Sequence, residues 1–136
     1  MKSSPIRIAF CAIASLALQG CRNAKVEVGL KSVSWLPATA TNISYSKVFG
    51  WNAYECDMSE LDFSSWTKSD GLEPAEIVSP IEIYRYTWLS ASPKAANDTV
   101  EIRRGLHVQN ISEGGAGYDL AFDRDNNRVY YHYQAH

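Results

Sequence analysis

Cysteines are the residues of this chain whose chemistry is easiest to place. Leu18-Gln19-Gly20-Cys21 closes an apolar run with a small residue immediately before a thiol. That pattern reads as a point where a leader is cut and the new N-terminal cysteine is acylated. One acyl chain holds a protein to a bilayer only marginally, at ~0.8 kcal/mol per buried methylene, whereas two or more give stable attachment. Cys11 lies inside the leader and would leave with it, so Cys56 is the other thiol of the remaining chain. It then has no internal disulfide partner, it sits in an apolar strand pattern, and Asp57 beside it opposes thiolate formation. A small buried hydrophobe is its expected role.

Three other constellations invite a chemical reading. Glu55 and Asp57 share one face of a strand, about 7 Å apart by strand rise and near the spacing of glycosidase carboxylates. A domain this small leaves little room for a deep sugar cleft, so a solvated strand edge is expected for them. His132 and His136 are four apart, which on a strand separates them, and His107 would have to converge on them to complete a metal site. Asp123-Arg124-Asp125-Asn126-Asn127 offers oxygen ligands at the first, third and fifth places of a calcium loop, but Arg128 stands where the glycine belongs and Gln134 where the glutamate belongs. A polar hairpin turn accounts for it. Glu113 to Gly117 lacks the lysine and the following helix of a phosphate loop, and no Gly-x-Ser-x-Gly elbow is present. No metal, cofactor or catalytic residue is therefore expected.

Tyr84, Tyr86 and Trp88 recur at i, i+2 and i+4. Left open, this stripe with Arg85, Arg103 and Arg104 would be a binding surface for a glycan or a partner protein. The expected alternative is that Phe63 and Trp66 of a helix cover it as core.

The elements that would position these residues are mostly strands. Alternation starts a first strand at about 25–35, ended by Leu36-Pro37. Asn42 to Phe49 and Trp51 to Asp57 form a hairpin or one strand bulged at Gly50. Ser59 caps a helix with Glu60 and Asp62 in its first turn, Lys68 near its end and Gly71 after it. Asp70 to Pro80 reads as a loop, Ile81 to Leu89 as a strand apolar on both faces, and Ser90 to Asp98 as a polar loop. Val100 to Val108 reads as one half-buried strand, and Tyr118 to Tyr133 as a hairpin turning at Asp123 to Asn127. The sum is α+β: an antiparallel sheet of about 5–7 strands with one helix packed on one face, in two layers.

Ahead of this domain, Lys2 and Arg7 precede an apolar stretch, Ile8 to Leu18, that is too short to span a bilayer. The division is therefore a leader at 1–20, a lipid-anchored tether at 21–24 and a single domain at 25–136. The whole chain has a formal net charge of −2, and loss of the leader takes two basic residues with it. No basic run is present, which speaks against nucleic acid as a partner.

Leu36-Pro37-Ala38-Thr39-Ala40-Thr41-Asn42-Ile43, Ala53-Tyr54-Glu55-Cys56-Asp57, Phe63 and Trp66 make one recognisable series. Gly114-Gly115, Tyr118-Asp119, Phe122-Asp123 and Arg128-Val129-Tyr130-Tyr131 close it. Together they resemble small uncharacterised bacterial lipoproteins and secreted proteins over about residues 33–133. The resemblance implies one compact domain and carries over no catalytic residue. Similarity to bacterial lipoproteins at Cys21 also implies, since Arg22 rather than an aspartate follows, the periplasmic face of the outer membrane in a cell with two membranes. The expectation is a membrane-anchored, non-enzymatic binding module of the cell envelope, held through its N-terminal lipid and meeting an envelope or secreted protein. A small envelope hydrolase and a structural envelope component are the alternatives.

Overall fold

The computed structural model describes residues 25–89 and 98–135. The leader, Cys21 and its tether, nearly all of the loop expected at Ser90 to Asp98, and His136 lie outside the described residues. The elements run β1 (Lys25–Leu30), β2 (Thr41–Val48), β3 (Trp51–Asp57), α1 (Glu60–Ser69), β4 (Ala75–Glu76), β5 (Ile81–Tyr84), a 3-10 turn (Tyr86–Leu89), β6 (Thr99–Ile102), β7 (Gly105–Ile111), β8 (Gly117–Asp123) and β9 (Arg128–Gln134). Seven strands form one antiparallel sheet in the order β1-β2-β3-β9-β8-β7-β4, and β5 pairs with β6 in a separate hairpin. The fold is α+β.

Local chemistry explains the firmest boundaries. Gly50, at φ 78°, supplies the left-handed residue of the β2–β3 turn, so the two segments form a hairpin. Ser59 caps α1 by accepting from the Asp62 amide at 3.1 Å. Beyond α1, the Gly71 amide donates to the Lys68 carbonyl with φ 72°, a left-handed residue that ends the helix. In the β8–β9 turn the Asp123 carboxylate accepts from the Asp125 amide and the Asn126 side chain, so those oxygens serve the backbone turn.

Register sorts every strand into two faces. On one lie Ile43, Cys56, Leu120, Phe122 and Val129, covered by α1 through Phe63, which stacks on Phe122 at 5.5 Å. Ten residues make a marginal helix in isolation; burying a phenylalanine contributes about 1.5–3 kcal/mol and fixes it to the sheet. On the opposite face the β5–β6 hairpin packs Ile83 and Ile102 against Ala121 and Tyr130. This partial third layer extends the expected two.

Four expectations are corrected in detail. β1 stops at Leu30, and the chain after it folds back so that Trp35 meets Tyr45 and Tyr54. Ala75–Glu76, within the expected loop, adds a short edge strand on β7. The strand expected over 81–89 ends at Tyr84: the Arg85 amide donates to the Asp98 carbonyl, and the Trp88 amide donates to the Arg85 carbonyl in the 3-10 turn. The strand expected over 100–108 is two strands in two sheets, broken at Arg103-Arg104. Gly105 restarts it where a Cβ would run into the Phe122 carbonyl, so only glycine fits.

Candidate functional site

Glu55 does not lie on a solvated edge, whereas the Asp57 side chain at the end of β3 is 44 % exposed. β3 lies between β2 and β9, and Glu55, 1 % exposed, points to the face beneath the 3-10 turn. Arg85 grips it with both arms of its guanidinium, Nε to Oε2 at 3.0 Å and Nη2 to Oε1 at 2.6 Å. Arg128 adds Nη2 to Oε1 at 3.0 Å and bonds Asp57 through Nη1. The hydrogen bonds that Arg85 donates to Glu55 raise its pKa against the opposing effect of burial. With its lone pairs committed to two arginines, Glu55 is poorly placed for acid–base chemistry.

His132, on the same face, is 5 % exposed and its Nε2 has no hydrogen-bond partner. The rings of Tyr84, Trp51 and Trp88 surround it with centroids at 5.0, 5.5 and 6.2 Å. Burial depresses its pKa, and the charge of Asp119 opposes that shift. His107 instead bonds Asp119, at 2.9 Å. Among the described residues no three His, Cys, Asp or Glu side chains gather in a way that could hold a metal ion. Cys56 is fully buried, and desolvation pushes its thiol up to about 12. It is inert as a nucleophile near neutral pH.

The structure does not gather the six residues of the candidate stripe. Tyr84 and Trp88 lie on the face opposite α1, so Phe63 and Trp66 do not cover them; Trp88 stacks on Trp51 at 4.5 Å instead. The Tyr86 carbonyl accepts from Ser46 Oγ at 2.6 Å. Arg85 turns inward to Glu55, Arg103 pairs with Glu101, and Arg104 pairs with Asp125. Tyr84 pairs with Thr99 at one end of the hairpin, whereas Arg103 follows Ile102 at the other.

A different aromatic surface stands open on the α1 face, beyond the part that the helix covers. A groove of about 690 Å³ is lined by Trp35, Tyr45, Tyr54 and Tyr131, with Lys25, Lys47 and Asn52 also at its walls. Trp35 meets Tyr45 edge-on at 5.7 Å and Tyr54 at 5.0 Å. Tyr54 stacks on Tyr131 at 4.6 Å, and Tyr131 stacks on Tyr118 at 5.9 Å, so the rings continue across β3, β9 and β8. Burial raises the phenol pKa of Tyr54 well above its ordinary value, so at neutral pH it presents an uncharged ring and hydroxyl. Trp35 is 49 % exposed although it contacts two other rings. Sequence reasoning overlooked this set. Its signal was Tyr45 and Lys47 on β2, Asn52 and Tyr54 on β3, and Tyr131 on β9, each alternating with residues of the other face.

Comparison of the chain with family models, with curated proteins and with solved structures finds no match.

Proposed function

We propose that this chain is a lipid-anchored binding module of the cell envelope whose ligand is a glycan seated in the aromatic groove. The observation that carries this reading is the run of rings from Trp35 through Tyr45 and Tyr54 to Tyr131, partly open to solvent and flanked by polar groups. Sugar rings present flat C–H faces that pack on aromatic side chains, and the Asn52 amide and the tyrosine hydroxyls can bond their hydroxyl groups. A ligand site of this kind is concave, mostly apolar and supplied with a few polar groups, and its volume lies within the usual 300–1,000 Å³. The anchor half of the reading rests on Leu18-Gln19-Gly20-Cys21. Commitment of Glu55 and Asp57 to Arg85 and Arg128 weighs against the hydrolase alternative.

The test is tryptophan fluorescence of the full chain titrated with oligosaccharides of glucose and of N-acetylglucosamine. A saturable change that Trp35→Ala weakens at least tenfold, corresponding to roughly 1.4 kcal/mol of lost contact, is the expected result. No saturable change with any oligosaccharide contradicts the glycan reading.

A further inference from the structure

One end of the large sheet combines three features that the groove alone does not explain. The β2–β3 turn projects Phe49, which is 100 % exposed, so a large apolar ring stands in water at the tip of a hairpin. Beside it, Lys25 of β1 and Lys47 of β2 face each other directly in register. Like charges at opposed positions destabilise a sheet. Lys25 is partly relieved by Glu27 at 3.1 Å and lies 5.7 Å from the centre of the Tyr45 ring, whereas Lys47 is exposed and its ammonium has no ion-pair partner among the described residues. Val26, on β1, is 38 % exposed as well. The C-terminal end of β9 lies at this same end, where the Ala135 amide donates to the Gly50 carbonyl. Among the described residues the acids at or near this end are Glu27, already bonded to Lys25, Asp119, bonded to His107 and Gln109, and Glu113 in the β7–β8 turn. β3 runs from Trp51 here to Asp57 at the far end, where α1 begins with Glu60 and Asp62.

The third feature is where the chain leaves the domain. Lys25 is the first residue of β1 and stands four residues after Cys21, a span of at most about 14 Å of extended chain. If Cys21 carries the lipid, β1 must enter the sheet within that distance of the bilayer.

We infer that the Phe49–Lys25–Lys47 end of the sheet docks on the surface of a bilayer containing anionic lipids. Phe49 enters the interfacial layer, and Lys25 and Lys47 lie among the headgroup phosphates. An aromatic ring flanked by lysines suits that boundary, because the ring leaves water while the ammonium groups remain with the charged headgroups. The opposed lysines then meet phosphate charge that offsets their repulsion. Lys25 and Lys47 also line the groove, so docking in this pose opens the groove at the membrane surface, within reach of sugars carried there. The inference rests on acylation of Cys21, and the experiment separates the two.

The full chain is purified with its lipid, and mass spectrometry establishes whether Cys21 carries acyl groups. A nitroxide is then attached at Phe49→Cys or, as the reference, at Leu61→Cys, an exposed α1 position near the far end of the sheet. Acylation blocks Cys21, and burial protects Cys56 from the label. Each labelled chain is inserted into vesicles of phosphatidylcholine with or without phosphatidylglycerol, and its collisions with oxygen and with a water-soluble nickel complex are measured. In vesicles containing phosphatidylglycerol, the label at position 49 is expected to favour oxygen several-fold more than the label at 61. Lys25→Gln combined with Lys47→Gln is expected to abolish that difference while leaving the circular dichroism unchanged. An acylated chain whose position 49 is as wet as position 61 overturns the docking. Equal immersion in purely phosphatidylcholine vesicles overturns the role given to the lysines. A chain without acyl mass overturns the anchor on which the inference stands.

Discussion

The two faces of the large sheet have exchanged the roles that their composition suggests. One face carries Glu55, Asp57, Arg128, His132, Asp119 and Asp123, a set that looks made for water, yet much of it is buried beneath the β5–β6 hairpin and the 3-10 turn. The other face carries Tyr45, Tyr54, Tyr118 and Tyr131, and α1 covers only part of it, leaving an open groove along which Trp35 joins them. The charged face can close because nearly every charge on it has a partner; a buried carboxylate held by two arginines costs far less than a lone one. Ring surface left half open in a domain this small has a cost, which points to use rather than to packing. In this fold the polar face is closed by ion pairs and the hairpin layer, while the ring-bearing face holds the larger apolar core under α1 and leaves an aromatic groove open beyond it.

The contrast can be broken most forcefully at Glu55. Glu55→Ala leaves Arg85 without its carboxylate and Arg128 with Asp57 alone, and is expected to cost about 3–5 kcal/mol in urea unfolding; a cost within about 0.5 kcal/mol, as for an ordinary surface carboxylate, would mean that this face is not closed. Ser59→Ala sharpens the other side of the comparison, since it removes the cap that starts the covering helix. It is expected to cost about 1 kcal/mol by the same measurement.

A smaller effect should appear as pH falls. The folded-state pKa of His132 is depressed below the ordinary value of 6.5, so the unfolded chain takes up the proton first and stability declines as pH drops through about 6.5. The contribution is complete above that pH and falls away until the lower folded pKa is reached. Comparing melting temperatures at about pH 7.5 and 5.5, His132→Phe should lose less stability on acidification than the parent chain. Equal losses would place the titrating group elsewhere. The smallest stability change is expected for Trp35→Ala, within about 1 kcal/mol, because half of that side chain already faces water.

What the sequence disclosed was local. The Ser59 cap, the β8–β9 turn at Asp123 to Asn127 and the apolar setting of Cys56 depend on neighbours a few residues away, and each was readable in order along the chain. Glu55 was misjudged because alternation assigns a residue to a face without saying what covers that face. Its cover comes from Arg85, thirty positions later, at a point where a strand was expected to continue. The division between β6 and β7 was hidden for a related reason: Thr99 to Val108 keeps a period of two through Arg103-Arg104, and only the separate partners β5 and β8 reveal two strands. Trp35 was illegible as a site residue because it lies in the connection after β1 and reaches Tyr45 and Tyr54 only once that connection folds back.

The claim that the ring-bearing face is the binding face is tested most directly by one calorimetric titration, made in parallel on three full-length chains with the best glycan ligand of the parent. The account predicts that Trp35→Ala loses most of the affinity while Tyr84→Ala, on the opposite face, binds as the parent does. Loss of binding with Tyr84→Ala and its retention with Trp35→Ala would contradict the account and move the site to the hairpin face.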